Sequence, residues 1–169
     1  KNDKILLTNY ISFLYKINTS ILNSINKLHE FGYAHTDIKP ENILIDGDGN
    51  VKLADFGISK SLKDPEQESG SQEFGKSFTV IGTAQYMPPE SFNPNKGYNE
   101  SFDIWSLGCC LYEMVVGEPP FGGEQQQMSG MQAVLAMNEI RMRDYFSNDF
   151  KRLLYGVLNK DPDQRMTID

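Results

Sequence analysis

Cysteine is nearly absent: the chain has only Cys109 and Cys110, side by side. Neighbouring cysteines with no others to pair with give neither a disulfide framework nor a metal set, so both are expected as reduced core residues. A basic surplus is missing too, since 16 Lys and Arg stand against 23 Asp and Glu, for a formal net charge of −7. That balance argues against nucleic acid and against anionic membrane surfaces, which select basic patches. No stretch approaches the ~18 consecutive apolar residues of a membrane span. No signal-peptide pattern opens the chain, and the default compartment is therefore cytoplasmic, with nuclear as the variant. No internal repeat occurs. With 39% hydrophobic residues in 169, the chain can bury one core and is read as one domain over 1–169. It opens on Lys1 instead of Met, and it is expected to be a piece of something longer.

Apolar residues at Leu7, Ile11, Leu14, Ile21, Ile25 and Leu28 predict a helix over 5–28 with one buried face. Asn9, Asn18, Asn23 and Asn26 lower its propensity, so it needs tertiary packing. Gly32 supplies a stop. Two short β runs, 43–45 and 51–53, flank the turn Asp46-Gly47-Asp48-Gly49-Asn50. A calcium loop would need glycine and glutamate where Val51 and Gly57 stand, so the turn is read as a hairpin turn. The polar stretch 62–79 predicts a long mobile loop. Residues 103–116 are apolar nearly all round, the mark of a buried central helix, and Gly117 with Pro119-Pro120 ends it. A helix follows over 131–137, after a solvated loop holding Gln125 to Gln127. A last helix runs over 148–159, capped by Ser147, with Phe150, Leu153, Leu154, Val157 and Leu158 as its apolar stripe. Phe102 and Trp105 read as core aromatics. His29 is a helix-end residue with no partner in view, and Glu118 reads as a solvated charge. The fold class is mainly α with a small β-hairpin, built around the buried central helix.

The chemistry concentrates in His35-Thr36-Asp37-Ile38-Lys39-Pro40-Glu41-Asn42, then the hairpin, then Asp55-Phe56-Gly57. A hairpin brings its ends together, so Asn42 and Asp55 are expected to converge. An amide oxygen and a carboxylate are hard ligands suited to Mg²⁺. Asp37 can accept a proton from a hydroxyl nucleophile, and Lys39 can balance negative charge. Metal, base and cation around one phosphate are the parts that phosphoryl transfer needs. The net negative charge does not oppose this, because metal ions offset phosphate.

In these motifs the chain resembles the protein kinases of the serine/threonine type, over essentially its whole length. HTDIKPEN is similar to the catalytic loop, here 35–42, and DFG is the metal-binding motif. GTAQYMPPE, residues 82–90, resembles the end of the activation segment, here 55–90. DIWSLG at 103–108 resembles the central helix, about 101–116, and KDPDQR at 160–165 the late arginine turn. Five motifs in order are hard to obtain by chance. The resemblance implies the C-terminal lobe of a kinase, with ATP and Mg²⁺ as cofactors and serine or threonine of proteins as acceptor. It implies Asp37 as catalytic base, Lys39 at the transferred phosphate, and Asn42 and Asp55 as magnesium ligands. Leu44 falls where an apolar side chain lies beneath adenine. Thr83 falls where a threonine bonds the catalytic Asp and Lys. Support is implied for His35, which braces the loop, for the ion pair of Glu90 with Arg165, and for Asp103, which holds the loop backbone from below. A pseudokinase or kinase-lobe scaffold is the alternative, and a small-molecule or lipid kinase is disfavoured by Thr83 and the 82–90 segment.

Three departures stand out. Thr36 takes the place of the usual arginine before the catalytic aspartate (a non-RD pattern), so phosphorylation at Thr79 or Ser77 is not expected to act through that arginine's phosphate contact. Pro88 replaces an alanine, with little effect expected. The glycine-rich loop, strand lysine and helix glutamate of a first lobe are missing, so that lobe is an expected partner. The fragment alone is expected to bind ATP poorly and to transfer phosphate negligibly.

Overall fold

A computed structural model describes residues 2–57, 59–62, 83–93, 99–121, 130–136 and 140–168. Most of the expected 62–79 loop, with Ser77 and Thr79, and the glutamine tract lie outside the described residues.

Helix α1 (Asn2–Glu30) runs further than its periodicity predicts. Its buried ridge is Ile17, Ile21 and Ile25, spaced by four residues as a helix face requires. Ile11, placed on that face by the sequence, is 57% exposed. It lies six residues before Ile17, about 240° round the helix, which turns it away from the core. The amide Nδ2 of Asn18 donates to the Leu14 carbonyl at 2.8 Å and the Ser24 hydroxyl to that of Ser20 at 2.9 Å. Poor helix formers are thus tolerated by bonding back to the preceding turn. Gly32 ends the segment with φ 83, in the left-handed region that glycine enters freely.

Four short strands follow: β1 (Tyr33–Ala34), β2 (Ile43–Ile45), β3 (Val51–Leu53) and β4 (Lys60–Ser61). Strands β2 and β3 form the expected antiparallel hairpin, with Ile43 opposite Leu53 and Ile45 opposite Val51. Strands β1 and β4 form a second two-stranded ladder that the sequence pattern does not reveal, because each run is only two residues long. Asp46 organises the hairpin turn. Its carboxylate accepts from the backbone N–H of Asn50 at 2.8 Å and of Asp48 at 3.1 Å, and pairs with Lys52 at 3.1 Å. The Asn50 amide, then Lys52, hold its pKa down at about 2, below the ordinary 3.8. A depressed carboxylate stabilises the fold fully above its unfolded value and loses that contribution as pH falls through the folded one. The Asp46 carboxyl resonance is therefore expected to titrate by NMR near 2, and the turn to loosen between 3.8 and 2. In Asp46→Asn that pH-dependent step should be gone.

Helix α2 (Ser101–Val116) is the centre of the core, with Phe102, Trp105, Cys109, Cys110 and Tyr112 all buried. Burial raises both cysteine thiols, so they stay protonated and inert. The ring of Trp105 stacks on Phe121 at 5.2 Å between centroids. Gly117, at φ 84, closes the helix by donating to the Glu113 carbonyl at 2.7 Å. Helix α3 (Gly130–Ala136) is short, and Met137 lies outside the described residues. Helix α4 (Asn148–Val157) ends two residues earlier than the pattern predicts, and Ser147 caps it by accepting from the Phe150 N–H at 3.2 Å. Its inward residues are Leu154 and, just beyond the helix, Leu158; Leu153 points outward at 37% exposure. Gly108 lets α4 approach α2, since a Cβ there would sit 2.7 Å from Val157 Cγ2. Among the described residues no helix is long and apolar enough to cross a membrane.

Candidate active site

The site is built upward from the first turn of α2. The Asp103 carboxylate is 0% exposed, an unfavourable place for a charge without partners. It accepts from the His35 N–H at 2.8 Å, the Thr36 N–H at 2.9 Å and the His29 ring Nε2 at 2.8 Å. Presenting both amides to one carboxylate requires a backbone kink, and Thr36 supplies it at φ 64. A β-branched residue in that region costs on the order of 1–3 kcal/mol. Two charge-assisted bonds, each about 1.5–3 kcal/mol, are enough to offset this.

Next along the loop, the Asp37 N–H donates to His35 Nδ1 at 3.3 Å, and His35 Nε2 lies 3.0 Å from the Ala54 carbonyl. Nδ1 accepts, so the proton is on Nε2 and is donated to Ala54. His35 thus ties the 35–42 loop to the segment after β3, with its ring edge-on to Phe56 at 5.0 Å. Pro40 begins a single helical turn, Pro40–Asn42, where its fixed φ suits the first position. The turn aims Asn42 back at Asp37. Asn42 Nδ2 donates to the Asp37 carbonyl at 2.8 Å and to its Oδ2 at 3.0 Å, and Lys39 Nζ pairs with the same Oδ2 at 2.7 Å. The other oxygen, Asp37 Oδ1, is buried without a hydrogen-bond partner among the described residues.

The hairpin delivers the last acidic group. The Ala54 N–H donates to the Asn42 carbonyl at 2.9 Å, extending the β2–β3 ladder by one rung. Asn42 is thereby set against the residue preceding Asp55. Asp55 is exposed, turns the chain at φ 62, and accepts from the Gly57 N–H at 3.2 Å. A Cβ at Gly57 would lie 3.1 Å from Asp55 Oδ1, so glycine keeps that oxygen uncrowded. Among the described residues no three His, Cys, Asp or Glu side chains gather to hold a metal. The residues present fit Mg²⁺ all the same, because it is ordinarily held by one or two protein oxygens plus phosphate and water. Leu44, on the hairpin, offers an apolar side chain at 51% exposure.

Residues 83–92 lie over α2. Thr83 begins the helical turn Thr83–Tyr86, but its side chain lies outside the described residues. The Ser106 hydroxyl donates to the Tyr86 carbonyl at 2.9 Å, and the Tyr86 hydroxyl to Glu113 at 2.6 Å. Glu90 forms a two-pronged pair with Arg165, Nη1 to Oε1 at 2.6 Å and Nη2 to Oε2 at 2.9 Å. Arg165 also donates to the carbonyls of Asn159 at 2.9 Å and Ser101 at 2.8 Å.

Two sequence readings change. His29, left without a partner by the sequence, touches Asp103 beneath the loop, a contact spanning 74 residues. Glu118, read as a solvated charge, is paired with Arg143 and lies 3.9 Å from Arg141. No local signal marks either pairing.

Comparison with known proteins agrees with this arrangement. The family described as protein kinase domain matches residues 9–169. The serine/threonine-protein kinase AtPK2/AtPK19 of Arabidopsis thaliana is 38% identical over 146 residues, covering 86% of this chain and 28% of that protein. The serine/threonine-protein kinase PKH1 of Saccharomyces cerevisiae is 38% identical over 158 residues, covering 89% and 20%. The serine/threonine-protein kinase PLK4 of Xenopus laevis is 36% identical over 156 residues, covering 92% and 15%. The chain therefore spans less than a third of the length of these relatives. A helical body around a buried α2, a loop–hairpin site and a family match over nearly every residue agree, and the chain belongs to the protein kinase family.

Proposed function

We propose that this chain is the C-terminal lobe of a serine/threonine protein kinase, which transfers the γ-phosphate of ATP to hydroxyls of protein substrates. The observation that carries the reading is the unequal treatment of the Asp37 oxygens. Oδ2 is held by Asn42 and Lys39, while Oδ1 is buried and has no hydrogen-bond partner among the described residues. A carboxylate whose one oxygen is fixed by an amide and an ammonium keeps the other to receive a hydroxyl proton. Lys39, already beside it, keeps positive charge where phosphate oxygens would gather. Asn42 and Asp55 are the residues that would hold Mg²⁺, which when bound neutralises phosphate charge. Leu44 would underlie the adenine, and Thr83 would bond Asp37 and Lys39 from the far side. A first lobe outside this chain would complete the nucleotide site, so the 1–169 lobe alone is expected to be nearly inactive. Thr36 is buried and brings no cation to the loop, so phosphorylation at Thr79 or Ser77 would not be read there.

The test is phosphate incorporation into protein by the full-length protein and its Asp55→Ala variant, with and without Mg²⁺. Mg²⁺-dependent incorporation, reduced at least about hundredfold by the substitution, is expected from loss of a preorganised charged ligand. Equal incorporation by both would make the lobe a binding scaffold.

A further inference from the structure

We infer that Lys160 is a positioning residue for the 83–86 turn, acting through α3. The inference rests on the proposed reading of Thr83, on that turn, as a partner of Asp37 and Lys39. A protein acceptor that offers its hydroxyl to Asp37 then lies against the same turn.

Helix α3 has seven residues and so spans about 10 Å. A helix this short is marginal without outside contacts, and its two ends are held in different ways. At its start, Gly130 is seated on the backbone of Gln85. A Cβ there would lie 2.7 Å from the Gln85 nitrogen and 2.9 Å from its Cα. Backbone cannot step aside as the end of a long side chain can, so the seat of α3 fixes where Gln85 stands. Ala133 and Val134, both fully buried, pack the middle of α3 into the core that also holds Tyr86. At the far end, the last carbonyls of a helix lack partners within it. Lys160 Nζ donates to the Leu135 carbonyl at 3.2 Å, and a cation is favoured at that pole of a helix. Burial lowers the Lys160 pKa below the usual lysine value, as expected of an ammonium drawn partly out of water. Lys160 stands on a fixed base. The Asn159 carbonyl accepts from Arg165 Nε at 2.9 Å, Asn159 Oδ1 from the Asp161 N–H at 3.0 Å, and Asp161 Oδ1 from the Asp163 N–H at 3.1 Å. Arg165 in turn holds Glu90. Residues 159–165 thus secure the 83–92 stretch twice, directly at Glu90 and, through α3, at Gln85.

Three variants of the full-length protein test this. Lys160→Met keeps the apolar stem and removes the donor. Lys160→Arg keeps a cationic donor in reach of the Leu135 carbonyl. Gly130→Ala pushes on Gln85 from the other end of α3, and alanine is the better helix former, so any impairment there is not a weakened helix. With Lys160→Met, KM for the protein acceptor is expected to rise about three- to tenfold, the size of one lost hydrogen bond. Gly130→Ala should raise it at least as much. KM for ATP should stay within about twofold in both, since the nucleotide contacts are proposed on the hairpin and the other lobe. Lys160→Arg should restore the acceptor KM. Hydrogen exchange over residues 83–87 should be slow in the wild type and in Lys160→Arg, and faster in Lys160→Met. Unchanged acceptor KM and unchanged exchange in Lys160→Met would overturn the inference. So would a Lys160→Arg variant as impaired as Lys160→Met, or a parallel rise in both KM values, which marks a general loss of structure. A wild type that transfers no phosphate, yet exchanges faster over 83–87 once Lys160 is replaced by methionine, would count against the phosphotransfer reading and keep Lys160 as the residue that seats the turn.

Discussion

Asp37→Asn is expected to lower phosphate transfer by about a thousandfold, the middle of the range for a positioned general base, with the fold and nucleotide affinity kept. Asparagine is chosen because its amide oxygen can keep the place of Oδ2, within reach of Lys39 and Asn42. Its NH₂ group then replaces Oδ1, the oxygen without a partner among the described residues, and cannot take a proton. Shape is preserved and basicity is lost. Single-turnover transfer measured beside nucleotide binding checks this, and a variant that also loses nucleotide would show that Asp37 serves the architecture of the site. The same comparison separates Asp37 from Asp55. The first substitution should spare the Mg²⁺ dependence of nucleotide binding, whereas Asp55→Ala should weaken it.

The second large effect is on stability. Arg165 is fully buried and Glu90 nearly so, and their two-pronged pair joins residues 75 apart. Removing one partner leaves the other charge buried, which costs roughly 3–5 kcal/mol. Arg165→Leu is therefore expected to lower Tm by roughly 6–20 °C for a domain of this size. Replacing both, as Glu90→Met with Arg165→Leu, should recover part of the loss, because a well-packed apolar pair avoids the desolvation cost. Recovery should be incomplete. Arg165 also satisfies the Asn159 and Ser101 carbonyls and lies 5.1 Å from the Trp105 ring centroid, and none of these contacts is replaced by leucine. Thermal unfolding of the single and double variants measures the difference. A double variant less stable than either single one would show that the pair itself is a net source of stability.

What could be read from the sequence follows from sequence distance. The hairpin and the residues around it were legible because turn chemistry, strand alternation and metal-suited side chains sit within the 35–57 window. The strand register then places Asn42 beside Ala54 and Asp55 with no long-range information. The central helix was legible from an apolar run that needs no partner to be recognised. The rest depends on meetings that local pattern does not encode. Glu90 with Arg165 entered only through family resemblance, and the contact of His29 with Asp103 entered not at all. Ile11 and Ile17 show the limit on a single helix: periodicity finds a face, but which of two neighbouring faces is buried depends on where α2 lies. Glu118 looked free because Arg143, its partner, is contributed by a later loop. The left-handed turns at Thr36 and Asp55 were likewise invisible, because a β-branched threonine rarely enters that region and an aspartate, though it enters more readily, does so too seldom to mark one position. They exist because Asp103 and the hairpin impose them.

The most direct test of the central claim is phosphoamino-acid analysis of protein labelled from γ-radiolabelled ATP by the full-length wild type and by Asp37→Asn, side by side. Label on phosphoserine and phosphothreonine with the wild type, and nearly none with the variant, is the predicted result. Equal labelling by the two proteins, or label confined to phosphotyrosine, would contradict the assignment of this lobe as a serine/threonine phosphotransfer site centred on Asp37.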